Sequence, residues 1–170
     1  MQADPTQLDA LAHTLGPGTI ALRMVLATGL GAIVGIERGL ADKPADTRTM
    51  ALVSAGACGF ILLGVQLAAE VRPGTGHQLD PARVLSYLIS GVGFLGAGAI
   101  LHSKKTVSGL TTAAAIWASA ALGAACGLGP YLVAGSLFVV LFAVLWVPTI
   151  RYLPEINDAD ENHRRQPTSR

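Results

Sequence analysis

Charged side chains are scarce in this sequence, and their scarcity excludes the ordinary soluble classes. Asp, Glu, Lys and Arg make up 14% of the 170 residues, whereas a soluble globular domain carries about 25%. Hydrophobic residues make up 51% and the mean hydropathy is +0.51. Most charges lie in short runs between long apolar blocks. This pattern predicts one polytopic membrane domain in the lipid bilayer, an all-α helix bundle.

Aromatic residues and net positive charge are also low, which excludes a nucleic-acid partner. Aromatics make up 5% of the chain and the formal net charge is +1, so there is neither a basic face nor a platform for base stacking. The two cysteines, Cys58 and Cys126, lie within apolar segments. We interpret them as small buried residues and expect neither a disulfide nor a metal pair. The N-terminus lacks the basic start of a cleaved signal peptide.

Five apolar segments are long enough to cross a bilayer. Residues 1–18 precede them, and this segment is either an interfacial amphipathic helix or disordered. Residues 19–150 form the predicted transmembrane domain, and residues 151–170 a disordered cytoplasmic tail. Pro81 is expected at the first position of the third helix and Ser108 as the N-cap of the fourth. The five predicted spans are residues 19–36, 49–69, 81–101, 109–127 and 131–147.

Lysine and arginine are unevenly distributed between the two sides of this predicted bundle. With five spans, the first and third loops and the C-terminus share one side, which carries most of the Lys and Arg. Because loops rich in Lys and Arg stay in the cytoplasm, we predict a multi-pass protein with its N-terminus outside and its C-terminus in the cytoplasm.

Small residues recur where two helices could approach each other closely. The third span carries four glycines within eight residues, and the first ends in G-A-I-V-G. Close approach drives helix association in lipid, so we expect the glycine-rich third span to be the packed centre of the bundle. Alternatively, the glycines expose backbone groups along a pathway. The candidates for packing or for a pathway are Gly31, Gly35, Ser90, Gly91, Gly93, Gly96, Gly98, Thr111 and Thr112.

Two groups of charged residues lie near the ends of predicted spans. Charges at membrane depth are costly, so each group is either an ion-pair clasp between span ends or one mouth of a polar pathway. Opposite membrane faces keep the acids of the two groups apart, which argues against a magnesium cage within one protomer. We expect no metal, no cofactor and no catalytic dyad, hence no enzyme. The cytoplasmic group is Glu37, Arg38 and Arg48, and the outer group is Arg23, Asp80 and Arg83.

Four blocks, in order, resemble the MgtC/SapB family of bacterial inner-membrane proteins. They are ALRMVLATGLGAIVGIER, ADTRTMALVSAGA, DPARVLSYLISGVGFLGAGAIL and VSGLTTAAAIWASAALGAACGLG, and the similarity covers residues 21–147. The resemblance implies an inner-membrane protein tied to growth at low magnesium and, in some members, to virulence. It also implies partners among other membrane complexes, the F-type ATP synthase among them. Met50, Tyr87 and Ser108 depart from the family pattern, and the short tail predicts a minimal member without the C-terminal cytoplasmic domain.

Two functional hypotheses follow from these observations. The first is a non-enzymatic regulator of other membrane complexes in magnesium or ion homeostasis, self-associating through small-residue faces, most simply as a dimer. It predicts an exposed small-residue face on the first or fourth span. The alternative is a small transporter or channel for Mg²⁺ or H⁺, which predicts that Glu37, Arg48, Asp80 and Arg83 line a connected cavity.

Overall fold

The computed structural model describes residues 15–70, 81–103 and 106–146, and the segments 1–14 and 147–170 lie outside this description. The described residues form five helices and one short hairpin, which confirms the prediction of an all-helical polytopic bundle. Strands β1 (Leu101–Ser103) and β2 (Thr106–Ser108) pair antiparallel where the sequence predicted a plain loop. The helices are α1 (Pro17–Leu40), α2 (Thr47–Glu70), α3 (Pro81–Gly98), α4 (Leu110–Leu128) and α5 (Tyr131–Trp146).

Three of the five helices are long and apolar enough to cross a membrane. These are α1, α2 and α4. A helix of about 20 residues spans a hydrocarbon core of about 30 Å. The apolar parts of the other two are shorter, Ala82–Gly98 in α3 and Tyr131–Trp146 in α5. Length and composition therefore support three membrane crossings directly, and they leave two shorter apolar helices packed beside them.

Helix α1 continues past its predicted end, and this changes the setting of two charges. The helix runs through Glu37 and Arg38 to Leu40, so both lie inside the helix rather than in a loop. Helix α2 then starts at a cap formed by Asp46, whose Oδ1 accepts hydrogen bonds from the backbone N–H groups of Arg48 and Thr49, both at 3.1 Å. Such bonds satisfy donors that a helix start leaves without partners.

The start of α4 differs from the prediction that Ser108 caps it. The N-cap is Gly109, which has φ +87° and makes no side-chain capping bond. A Cβ at this position would overlap the carbonyl oxygen of Ala99. A left-handed backbone pressed against a neighbouring carbonyl suits glycine alone, so the close turn after the hairpin replaces the expected serine cap.

Helix α4 occupies the centre of the bundle, with α2 packed directly against it. In α4, 67% of the apolar span is buried, compared with 44% in α2 and 28% in α1. Glycines bring the backbones together: a Cβ on Gly31 would lie 2.7 Å from the carbonyl oxygen of Met50, and one on Gly127 would lie 2.9 Å from that of Cys58. The predicted close-packing face of α1, Gly31 and Gly35, therefore does pack, and it packs against α2.

The glycine-rich helix α3 is not the packed centre, and that prediction is wrong for one protomer. A Cβ on Gly91, Gly93 or Gly98 would meet no atom within 4 Å, whereas Gly96 faces Ala113 of α4. The physical reason is the direction in which each glycine faces around the helix axis. Consecutive helical residues are separated by about 100°, so glycines spaced by two or five residues lie on different faces. Only the face with Gly96 and the buried Val92 meets α4.

Candidate functional site

Six polar side chains are buried among the described residues, and all of them lie where α1, α2 and α4 meet. Two are arginines, one is a glutamate and three are hydroxyl residues. Burying such groups is costly in an apolar bundle unless they find partners. We call the set the polar seam: Arg23, Glu37, Arg38, Ser54, Thr112 and Ser119.

One end of the polar seam joins α1 to the start of α4. Arg38 donates from Nη2 to Oγ1 of Thr112 over 2.8 Å. Its Nη1 lies 3.7 Å from Oε2 of Glu37, and the two side chains are 6% and 3% exposed. Removing two charges from water costs several kcal/mol per ion, and the adjacent carboxylate offsets part of this cost for the guanidinium. Glu37 and Arg38 thus contact each other on the same helix, inside the bundle, whereas the predicted clasp would have joined the ends of two spans through Arg48.

The other end joins α1 to the end of α4. Arg23 donates from Nη1 to the carbonyl oxygen of Gly127 over 2.7 Å. The last carbonyls of a helix lack intrahelical partners, and the helix dipole favours a cation beside them. Gly129 ends α4 with φ +98°, and a Cβ there would lie 2.7 Å from Nη2 of Arg23. A larger residue at position 129 would displace the guanidinium.

The two arginine contacts are equally spaced along α1 and along α4. Arg23 and Arg38 are 15 residues apart on α1, and Thr112 and Gly127 are 15 residues apart on α4. At 1.5 Å per residue, both separations are about 22 Å. Because α1 and α4 run antiparallel, equal separations let the same two arginines contact both ends of α4. This arrangement fixes the axial position of α1 against α4.

Hydroxyl groups link the helices between these ends. Ser54 of α2 donates to the carbonyl oxygen of Ala27 over 2.7 Å, and Ser119 of α4 lies 3.3 Å from the sulfur of Met50. Sequence reasoning did not select either serine as a site residue. The available signal was the position of Ser119 in the repeat of small residues along α4. Met50, one of the three departures from the family pattern, is fully buried at this contact.

The remaining predicted site residues do not gather at the polar seam. Arg48 and Arg83 are exposed near the starts of α2 and α3, and Ser90 and Thr111 are exposed as well. Asp80 lies outside the described residues. Arg48 is therefore not buried with Glu37 and Arg38, and Arg23 contacts α4 while Arg83 faces outward. Involvement of these residues in a pathway stays a prediction.

Three further observations bear on what the polar seam can do. The Nε–H groups of Arg23 and Arg38 are buried without an acceptor in the part of the chain that the structure describes. A cavity of about 270 Å³ lies elsewhere, between α3, α4 and α5, and its lining is apolar and contains none of the charged residues above. Within the described ranges, no three His, Cys, Asp or Glu side chains cluster as metal ligands. These observations favour a structural role for the polar seam, in which it holds helices together, over a role as the lining of a channel.

A bundle of long apolar helices closed around buried arginines defines a polytopic membrane protein. The chain belongs to the MgtC family, whose sequence model matches residues 24–150. It is 38% identical over 133 residues to Protein SapB of Bacillus subtilis, covering 77% of this chain and 57% of that protein. It is 40% identical over 110 residues to Protein MgtC of Salmonella typhimurium, covering 65% and 44% respectively.

A third relative, an uncharacterized protein of Haemophilus influenzae, is 44% identical over 109 residues, which cover 63% of this chain and 46% of that protein. The chain therefore spans between 44 and 57% of the length of these three relatives. No solved structure matches the chain.

Proposed function

We propose that this MgtC-family protein is a non-enzymatic regulator in the bacterial inner membrane. It serves magnesium or ion homeostasis by docking on another membrane complex, and its C-terminus faces the cytoplasm. The support for a magnesium connection is the 40% identity to a protein named MgtC. The support for the orientation is the excess of Lys and Arg on one predicted side. The family resemblance makes the F-type ATP synthase the first partner to test.

The observation that carries the regulator hypothesis is the set of contacts that the buried charged side chains make. Arg23 contacts the end of α4, Arg38 contacts its start, and Glu37 lies beside Arg38. These contacts are directed at other parts of the same protomer. The described cavity, by contrast, is apolar. A bundle whose charges hold its own helices together fits a docking protein better than an ion pathway.

We place the docking face on α3, whereas the sequence predicted an exposed small-residue face on the first or fourth span. The glycines of α1 and α4 that approach a neighbour are buried against α2 inside the protomer. Helix α3 instead carries an exposed stripe at spacings of three and four residues, which is one face of a helix. We call this stripe the α3 outer face: Tyr87, Ser90, Gly91, Phe94 and Gly98. Its aromatic members are 75% and 81% exposed, and bare glycine between aromatics favours close approach of a partner helix.

A pair of matched glycine substitutions tests this proposal. Gly91 lies on the α3 outer face, while Gly93 is equally open but lies about 200° away around the helix. We expect Gly91→Leu to abolish capture of the partner complex from native membranes and growth at low magnesium, because the added side chain blocks close approach. Gly93→Leu should leave both unchanged. Equal capture by both variants, or no captured complex with the wild type, would overturn the regulator proposal.

One observation favours the alternative of a small ion transporter. Glu37 lies within α1 and its side chain is only 3% exposed. A buried acid within a membrane span is typical of ion and proton pathways. A transporter would move Mg²⁺ or H⁺ across a liposome membrane and would lose this flux in Glu37→Gln. A pure regulator would show no flux in either form, so the two functions are distinguishable.

A further inference from the structure

Helix α3 directs bulky side chains toward a row of small ones on α4, and a cleft lies between them. The cleft is bounded by α3, α4 and α5 and encloses about 270 Å³. On the α3 side it is lined by leucine, isoleucine and valine, with Val92 buried. On the α4 side most lining residues are alanines, and small residues let two helices approach closely in lipid. We call these residues the alanine wall: Ala120, Ala121, Ala124 and Ala125.

The glycines of α3 that would fit closely against the alanine wall lie on another face of the helix. Consecutive helical residues are separated by about 100°, so Gly91 lies about 100° around the axis from Val92. A Cβ on Gly91 would meet no atom within 4 Å. Gly98 lies within about 20° of Gly91, because seven residues make almost two turns. A rotation of α3 by about 100° about its own axis would therefore bring both glycines against the alanine wall.

Neither a charge nor a hydrogen bond to another helix fixes the angle of α3 over the described residues 84–98. This stretch contains no Asp, Glu, Lys or Arg. Its side-chain hydrogen bond stays within α3, from Oγ of Ser86 to the carbonyl oxygen of Ala82 over 2.9 Å. Lipid tails are as apolar as leucine, so turning a leucine-rich face toward lipid carries little cost. The angle of α3 therefore depends on packing alone, unlike that of α1, which its arginines hold.

Packing contributes to both angles of α3. At the present angle, Val84 packs against Gly64 of α2, where a Cβ would lie 2.8 Å from its Cγ2. The cleft, however, deprives the side chains that line it of packing contacts. After the rotation Tyr87 would enter the cleft, because it lies about one turn before Gly91. Helical side chains tilt toward the helix N-terminus, so the Tyr87 hydroxyl would point toward the start of α3.

We propose that α3 is a two-state helix that rotates by about 100° between the present packing and a second one. In the second packing Gly91 and Gly98 face the alanine wall and Tyr87 fills the cleft. This packing hides the α3 outer face, so the rotation switches the docking face off. That consequence rests on the proposed docking function, whereas the rotation itself does not, and it is tested on the protein without a partner.

Cysteine crosslinking of the purified protein in liposomes measures the angle of α3. Gly96 faces Ala113 of the antiparallel helix α4. Leu88 is eight residues before the first and Ala121 eight residues after the second, so both lie about 12 Å further along and at one level. Leu88→Cys with Ala121→Cys therefore reports the present packing. Tyr87→Cys with Ala121→Cys reports the second packing at nearly the same level.

A third pair and single-cysteine variants are the controls. Ser86 is exposed and lies more than about 100° from the direction of α4 at both angles, so Ser86→Cys with Ala121→Cys should not crosslink. A short bifunctional thiol reagent is used, and crosslinks are counted by intact mass. Each substitution made alone controls for the native Cys58 and Cys126. We expect crosslinks in the Leu88 and Tyr87 pairs and none in the Ser86 pair.

Two matched leucine substitutions test whether Tyr87 enters the cleft. Ala125→Leu fills the cleft and should reduce the Tyr87 crosslink at least about fivefold, because overpacking disfavours the second packing. Ala114→Leu adds the same side chain three turns earlier, at an exposed site outside the cleft, and should leave the crosslink unchanged. A Tyr87 crosslink no stronger than that of the Ser86 pair, or equal effects of the two folded leucine variants, would overturn the proposal. If Ala125→Leu does not fold, the comparison of the three cysteine pairs decides alone.

Discussion

The close contact of Gly31 in α1 with α2 predicts a large effect of adding one methyl group. A Cβ on Gly31 would lie 2.7 Å from both the carbonyl oxygen of Met50 and the Cβ of Ser54. Both helices would have to separate, because the atoms that it meets lie on or next to the α2 backbone. Overpacking a core typically costs about 1–3 kcal/mol, and a backbone contact places Gly31→Ala at the upper end. Alanine also gains about 1 kcal/mol of helix propensity over glycine. The expected net loss of stability is therefore about 2 kcal/mol.

Gly29 is the matched control for this substitution. It lies two residues earlier on α1, and a Cβ there would meet no atom within 4 Å. Gly29→Ala should therefore raise stability by up to about 1 kcal/mol, through helix propensity alone. Because the propensity gain is common to both variants, their difference of about 3 kcal/mol isolates the steric term.

Thermal unfolding in mild detergent, followed by circular dichroism, measures this difference directly. The expected order of midpoint temperatures is Gly29→Ala, then wild type, then Gly31→Ala. Equal midpoints for the two variants would refute the close packing of α1 on α2.

Three further predictions concern polar contacts at the helix ends. Arg23→Met should lower the free energy of unfolding in detergent by about 1.5–3 kcal/mol, because the Gly127 carbonyl loses a charged donor. As a control, Arg48→Met at an exposed site should change the free energy of unfolding by less than about 0.5 kcal/mol. Thr112→Val should cost about 1–2 kcal/mol in the same assay by removing the acceptor for Arg38, and a neutral result would remove it from the polar seam. The hydrogen bond from the Thr49 backbone N–H lowers the pKa of Asp46 in the folded protein below the usual 3.8. The stability that ionised Asp46 contributes is therefore present above pH 3.8, and it is lost as the pH falls through the lower pKa of the folded state. Midpoints measured from pH 6 to pH 2 should show this fall in the wild type and not in Asp46→Ala.

The positions of the helices could be predicted from sequence because long apolar runs and proline mark them directly. Pro81 begins α3 as expected, and the predicted starts of α1 and α2 differ from the observed ones by two residues. Gly31 and Gly35 also pack as expected, because a spacing of four places both on one helix face. The predicted domain limits at residues 18 and 150 fall outside what the structure tests, and they stay predictions.

The centre of the bundle and the partners of the arginines could not be predicted from sequence. Counting glycines favoured α3, but packing depends on the angle at which each glycine lies, and three of the four point away from α4. Arg23 contacts a backbone carbonyl 104 residues away, and a carbonyl has no signature in the sequence. Glu37 and Arg38 resemble a loop boundary in the sequence, whereas the additional turn of α1 carries them into the protein interior.

Ion flux in proteoliposomes tests the central claim most directly, with Mg²⁺ and pH dyes measured in parallel. The samples are the wild type, Glu37→Gln and, as a matched acid-to-amide control, exposed Asp42→Asn. A regulator whose buried charges hold its own helices together should show no flux above empty liposomes in any sample, from protein verified as folded. Flux of either ion in the wild type and Asp42→Asn that Glu37→Gln abolishes would contradict the regulator account and place a transport pathway at Glu37.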